Sequence, residues 1–227
     1  VTETTPVTGR RFWWHLLETV VVVVVALAVA ALVRAFVVQA FYIPSGSMEN
    51  TLLVDDRIAV SKIGPFYGDA ERGDVVVFRD PGGWLSLPVQ TTNPIRRVLE
   101  FVGVAPSSTE GDLVKRVIGV GGDHVVCCDK QGRVSVNGVP LDETYLYPGD
   151  VPSEESFDVT VPAGSLWVMG DHRSASDDSR AQPKKHQFVP VDDVIGRAVM
   201  VFWPLNRWDL LQRPDTFAGI PDPPAPP

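Results

Sequence analysis

Cysteine is nearly absent from this 227-residue chain: there are two, Cys127 and Cys128, and they are neighbours. Adjacent thiols build neither the multi-bridge framework of a small secreted domain nor a zinc site with two-residue ligand spacing. Basic charge is also scarce. Lys and Arg number 20 against 28 Asp and Glu, a net charge of −8, and from Phe41 onward the balance is 17 against 26. That part has no electrostatic footprint for wrapping nucleic acid, so nucleic acid is excluded as a partner. Internal repeats are lacking as well. Apolar residues are not: they make up 44% of the chain, and Val, Ile, Phe and Trp stand in short runs that argue against disorder.

One apolar run is far longer than the others. The stretch from Thr19 to Val33 holds no charge and includes six consecutive valines. As a helix it spans about 22 Å, short of a hydrocarbon layer of roughly 30 Å. Extending it to Leu16–Val38 reaches across and admits Glu18 and Arg34 near the ends, where they snorkel. Arg10, Arg11, Trp13 and Trp14 precede it, a basic and aromatic flank that favours a cytoplasmic N-terminus. A cleaved secretory signal is the alternative, with Ala28-Val29-Ala30 as small residues, but the apolar region continues past that point.

After Pro44 the pattern changes to short alternating segments between turn residues, an all-β pattern. Strands are predicted at 57–63, 74–78, 113–120, 124–128, 133–136 before an Asn137-Gly138 turn, 157–161, 166–169 and 194–203. A short amphipathic helix is predicted over 93–102, capped by Asn93 with Pro94 at its first position. Within the strand at 124–128, Cys127 and Cys128 point to opposite faces, so two reduced, separately packed thiols are expected. The Pro-rich end is expected to be disordered.

Three groups can carry chemistry. Ser45-Gly46-Ser47 places two hydroxyls in a tight apolar-flanked turn, which is either a nucleophile site or a plain helix-exit turn. A serine needs a base. Lys115 stands in an otherwise apolar strand, so its amine is either desolvated with a depressed pKa or lies on the solvent face of an edge strand. His172, with Asp171 or Asp178, is the rival base. The same acidic cluster reads equally as a salt-bridged loop or, with Asp177, as a calcium site.

Four motifs in order now separate these readings: Pro44-Ser45-Gly46-Ser47-Met48 with Thr51-Leu52, Arg72 to Phe78, Lys115 to Gly119 ending in Gly122-Asp123, and Gly170-Asp171 through Asp178-Ser179-Arg180. The sequence resembles the bacterial type I signal peptidases, membrane-anchored Ser/Lys proteases. The resemblance implies Ser47 as nucleophile, Lys115 as general base, Ser176 as the hydroxyl that orients the lysine, and Ser45 as a partner of the Ser47 N–H in the oxyanion hole. It implies that Arg116 with Asp171, and Asp178 with Arg180, support the site. It makes Phe41, Ile43, Pro44, Met48, Leu52, Ile58, Val77 and Val114 the lining of pockets for small substrate side chains, with the substrate adding as a strand beside those of Val77 and Val114. No metal and no cofactor are implied.

The chain departs from the family pattern at Asn50, where proline often stands, at Gly121, and at His172-Arg173-Ser174-Ala175. The first two are expected to loosen turns. The third puts His172 where the family has a neutral amide, which removes it as the base. The expected organisation is a cytoplasmic N-terminus (1–15), a transmembrane helix (16–38), an extracytoplasmic antiparallel β catalytic domain (39–213), and a disordered tail (214–227). That domain is of the signal-peptidase and self-cleaving-repressor kind, with a small inserted β subdomain at about 124–163. Secretory preproteins and the lipid bilayer are the expected partners, with Trp84, Trp203, Trp208 and the 93–102 helix as an apolar rim on the outer face of a bacterial cytoplasmic membrane. Oligomeric state is left open. A self-cleaving repressor would carry a DNA-binding head, and a non-enzymatic tethered β domain would be indifferent to loss of Ser47 or Lys115.

Overall fold

The computed structural model describes residues 8–62, 70–85 and 111–223. The helix predicted over 93–102 lies outside them. Helix α1 runs from Thr8 to Phe36 and contains an 18-residue stretch, Trp13–Ala30, of mean hydropathy 2.1 whose side chains are all exposed. Valines are poor helix formers in water, but in lipid only a helix satisfies every backbone group of a single apolar segment. Such a helix fits a membrane-anchored protein. It stops two residues before the expected Val38, because Val38 already pairs with Ser61 in the first strand. A continuous apolar run does not mark where helix gives way to strand.

From Val38 onward the chain is antiparallel β. Its strands are β1 (Val38–Tyr42), β2 (Arg57–Ser61), β3 (Val75–Arg79), β4 (Asp112–Val120), β5 (His124–Cys127), β6 (Val134–Val136), β7 (Val139–Pro140), β8 (Phe157–Thr160), β9 (Ser165–Met169), β10 (Val189–Pro190), β11 (Val194–Trp203) and β12 (Asp209–Leu210). The larger sheet has the order β1-β2-β11-β3-β4-β9-β10, with β12 on β11; the smaller has the order β7-β6-β5-β8. Between β6 and β7, Asn137 and Gly138 both have positive φ (51° and 80°), the backbone that a two-residue hairpin with right-handed strand twist requires.

The two sheets share a core. Val125, Val134 and Val136 from the small sheet pack with Ile118, Trp167 and Met169 from the large one. Phe217 and Ile220 join that cluster, which corrects the expectation of a disordered tail from 214. Phe217 covers Gly73, where φ is +86° and a β-carbon would come within 2.8 Å of the ring. Arg72 donates to the carbonyls of Ile220 and Pro221. This stretch is therefore a strap, with one 3₁₀ turn at Asp215–Phe217, whose apolar side chains are anchored in the core.

Two further expectations change. Trp84 is buried, edge-on to Phe78 at 5.6 Å, with its indole N–H donating to the His186 carbonyl, so it is no part of an exposed rim. Cys127 and Cys128 are joined as a disulfide across a cis peptide with their Cα atoms 3.0 Å apart, in place of two thiols on opposite faces.

Candidate active site

Strand alternation sends consecutive side chains of β4 in opposite directions, and this divides the site into two halves. Val76 of β3 lies beside Lys115, and Val75 beside Arg116. Lys115 reaches Ser47: its Nζ lies 2.6 Å from the Ser47 Oγ. Ser47 sits in a turn after β1 closed by bonds from the Glu49 N–H to the Gly46 carbonyl and from the Leu52 N–H to the Met48 carbonyl. The Ser45 Oγ lies 3.5 Å from that of Ser47.

Lys115 is 3% exposed. Burial pushes its pKa down from 10.5 to about 8, against the nearby Asp178, Asp177 and Asp171, which favour the charged form. A substantial fraction of the amine is therefore neutral slightly above neutral pH, when its lone pair can accept the Ser47 hydroxyl proton across the same contact.

Arg116 works on the other face. It forms a bidentate pair with Asp171 at 2.8 and 2.6 Å, with both side chains buried, and also donates to the Gly73 carbonyl and Thr51. Thr51 donates to Asp171 in turn at 2.5 Å. Arg180 pairs with Asp178 at 2.9 and 2.8 Å, and Asp178 accepts the Gly170 N–H. Burial works to raise the Asp178 carboxyl, but Arg180, the Gly170 N–H and Ser176 together outweigh it and keep the group below the usual range. With Asp171 and Asp178 committed to different arginines, the calcium reading fails. Among the described residues no group of three acidic, His or Cys side chains is placed to hold a metal.

Ser176 differs from expectation. Its hydroxyl is buried and makes no well-formed hydrogen bond, to Lys115 or any other group, though it lies near enough to Asp178 to favour that group's charge. Ser176 and Ser47 both close on Gly170, where a β-carbon would fall 2.3 Å from the Ser176 Oγ and 2.4 Å from the Ser47 carbonyl oxygen. Only glycine lets these segments approach so closely.

Of the expected pocket-lining residues, Phe41, Ile43, Met48, Leu52, Ile58 and Val77 form one buried cluster with Val114 packed partly against it, while Pro44 is exposed. They make a packed apolar floor rather than an open wall. The β3 strand is paired on both sides, to β4 and β11, so no substrate strand can add at Val77. On β4, pairing with β9 begins only at Arg116, which leaves 112–115 without a strand on that edge among the described residues.

Several residues at the site escaped the sequence reading. Arg173 is buried, pairs with Glu143 and donates to the carbonyls of Gly170 and Pro152. Tyr145 lies 4.3 Å from the Arg116 guanidinium. Asn50, expected to loosen its turn, ties it instead: at φ +84°, which proline cannot adopt, its amide donates to the Tyr145 and Leu146 carbonyls at 3.0 Å each. Glu143, Tyr145 and Pro152 belong to the insertion between β4 and β9, so these contacts join the insertion to the catalytic turn. Arg173 is 30 positions from Glu143, and no local pattern links them.

Residues 16–203 match the family described as signal peptidase, peptidase S26. The chain is 38% identical to signal peptidase I of Mycobacterium tuberculosis (strain CDC 1551 / Oshkosh), over 86% of this chain and 75% of that one. It is 35% identical to signal peptidase I of Leptolyngbya laminosa, over 89% and 87%. A crystal structure of a signal peptidase I from Enterococcus faecalis V583 aligns with a TM-score of 0.37 and 25% identity, covering 57% of this chain and 96% of that chain. The chain belongs to the signal peptidase I family, and it is a serine endopeptidase.

Proposed function

We propose that this enzyme removes signal peptides from exported preproteins, using Ser47 as nucleophile and Lys115 as general base. The observation that carries the assignment is the 2.6 Å contact between the Ser47 Oγ and a lysine amine whose burial lowers its pKa to about 8. As the Oγ attacks the scissile carbonyl, neutral Lys115 takes its proton. The developing oxyanion is received by the Ser47 N–H and the Ser45 hydroxyl, an arrangement that supplies about 3 kcal/mol per donor. The lysine ammonium then protonates the leaving amine, leaving an ester on Ser47. A water attacks that ester with Lys115 again as base, which restores the hydroxyl.

Substrate backbone adds along the open edge of β4 at 112–115, gaining main-chain bonds that do not depend on sequence. The apolar floor under Pro44 and Val114 then limits side-chain size before the cut. Such a floor separates residues differing by one methylene by about 1–3 kcal/mol, which suits small residues.

The α1 segment crosses the cytoplasmic membrane once, with Arg10 and Arg11 inside and the β domain outside. Trp203, Leu205, Trp208 and Leu210, each 47% or more exposed, form an apolar patch that rests on the bilayer. Cleavage of a secretory precursor by the detergent-solubilised enzyme tests the dyad: Ser47→Ala and Lys115→Met should each abolish it, by roughly 10⁴-fold or more. Full activity in either variant would overturn the assignment.

A further inference from the structure

We infer that His172 is a positioning residue that braces both peptide units flanking the Ser47 side chain and, through the Gly46–Ser47 peptide, aims the Ser47 N–H. The inference rests on the dyad and oxyanion reading above and concerns a residue that reading leaves without a role.

The geometry has three parts. The His172 Nδ1 lies 3.2 Å from the Gly46 carbonyl oxygen, and the His172 main-chain N–H donates to the Ser47 carbonyl at 3.2 Å. One residue thus holds the carbonyl before Ser47 with its ring and the carbonyl after it with its backbone. A peptide unit is planar, with C=O and N–H pointing opposite ways. Holding the Gly46 carbonyl therefore fixes the direction of the Ser47 N–H, the donor that receives the oxyanion.

The ring itself is held. Tyr147 stacks on it with centroids 3.9 Å apart and planes 14° from parallel, and the Tyr147 N–H donates to the Asp171 carbonyl. Glu49 places its Oε2 3.1 Å from the same Nδ1, and its carboxyl packs on Gly46, where a β-carbon would come within 3.0 Å. Two acceptors on one nitrogen assign the proton to Nδ1. With Nδ1 facing the Gly46 carbonyl and Glu49, the ring acts on the main chain of the turn and not as the base for the Ser47 hydroxyl.

A donor at this place does not need an imidazole. The amide nitrogen of asparagine stands the same number of bonds from the backbone as Nδ1, so His172→Asn keeps the brace. His172→Phe keeps the stack on Tyr147 and removes the donor. Steady-state cleavage of a signal-peptide substrate, with thermal midpoints for each variant, separates these roles. His172→Phe should lower kcat about 10- to 100-fold with KM little changed, as expected for a misaimed oxyanion donor, and His172→Asn should restore kcat to within about threefold of wild type. A folded His172→Phe enzyme with wild-type kcat, or a folded His172→Asn enzyme as slow as His172→Phe, would overturn the inference while leaving the dyad intact. Ser47→Ala measured alongside identifies the other failure: if it stays active, the dyad reading and this inference fall together.

Discussion

The two halves of the site are built in opposite ways. Ser47 is placed by polar contacts: its turn is held by Glu49, Leu52, His172 and, through Asn50, the Tyr145–Leu146 carbonyls of the insertion. Lys115 is tuned by the lack of them. Its stem lies in a strand flanked by Val76 and its amine meets the Ser47 hydroxyl, with burial as the first cause of its lowered pKa. A nucleophile needs accurate geometry, which hydrogen bonds supply. A base needs a proton affinity near the working pH, which desolvation supplies. Arg116, one residue along the same strand, carries a permanent charge and is given Asp171, Thr51 and the Gly73 carbonyl. Adjacent cations on one strand thus meet opposite environments, and only the unpaired one is suited to give up its proton.

Breaking the paired cation should have the largest effect on the fold. Arg116→Ala leaves Asp171 buried without its partner, and loss of one member of a buried pair costs about 3–5 kcal/mol. Denaturant titration should show that loss, whereas a change below about 1 kcal/mol would mean that the pair is not the support described.

Removing the unpaired cation should act in the other direction. A lysine that ionises near 8 in the folded chain and near 10.5 in the unfolded one carries, at neutral pH, a buried charge that costs the fold about 3 kcal/mol. Between those two values the unfolded chain binds the extra proton, so the stability of the wild type rises with pH across that window. Lys115→Met should therefore be inactive yet more stable than wild type by up to about 3 kcal/mol at pH 7, the gain shrinking above pH 8. Equal or lower stability at pH 7 would place the lysine in a better-solvated setting than its 3% exposure describes.

A smaller effect is expected on the polar side. Asn50→Ala loses two bonds to the insertion, each worth about 1 kcal/mol, and should lower kcat by disturbing the Ser47 turn while Lys115 keeps its proton affinity. The acid limb of the pH profile should stay where it is in this variant; a shifted limb would show that the two halves are not independent.

Much of this molecule was legible from its residues. The long apolar helix followed from hydropathy, and most strands from period-two alternation between turn residues, because both patterns are local. Ser47 and Lys115 stood out only as ambiguous candidates until their motifs were taken together, since a buried lysine and a solvent-facing one read alike on one strand. What stayed hidden depends on partners far along the chain. Phe217 and Ile220 read as part of a proline-rich tail, although both join the core and Phe217 covers Gly73. His172 was recognised as a departure from the family pattern, but its contact with Gly46 spans 126 positions. Strand β1 was hidden in the apolar run, where helix and strand share one composition.

The pH dependence of kcat/KM on a signal-peptide substrate tests the central claim most directly, because it reads the proton affinity of the base in the free enzyme. The account predicts an acid limb with a midpoint near 8, falling about tenfold per pH unit below it, and a midpoint moved to lower pH in Asp177→Asn, since that exposed carboxylate raises the Lys115 pKa. A midpoint near 10.5 would mean that burial does not tune the lysine, and one in the imidazole range of about 6 to 7 would contradict Lys115 as the base.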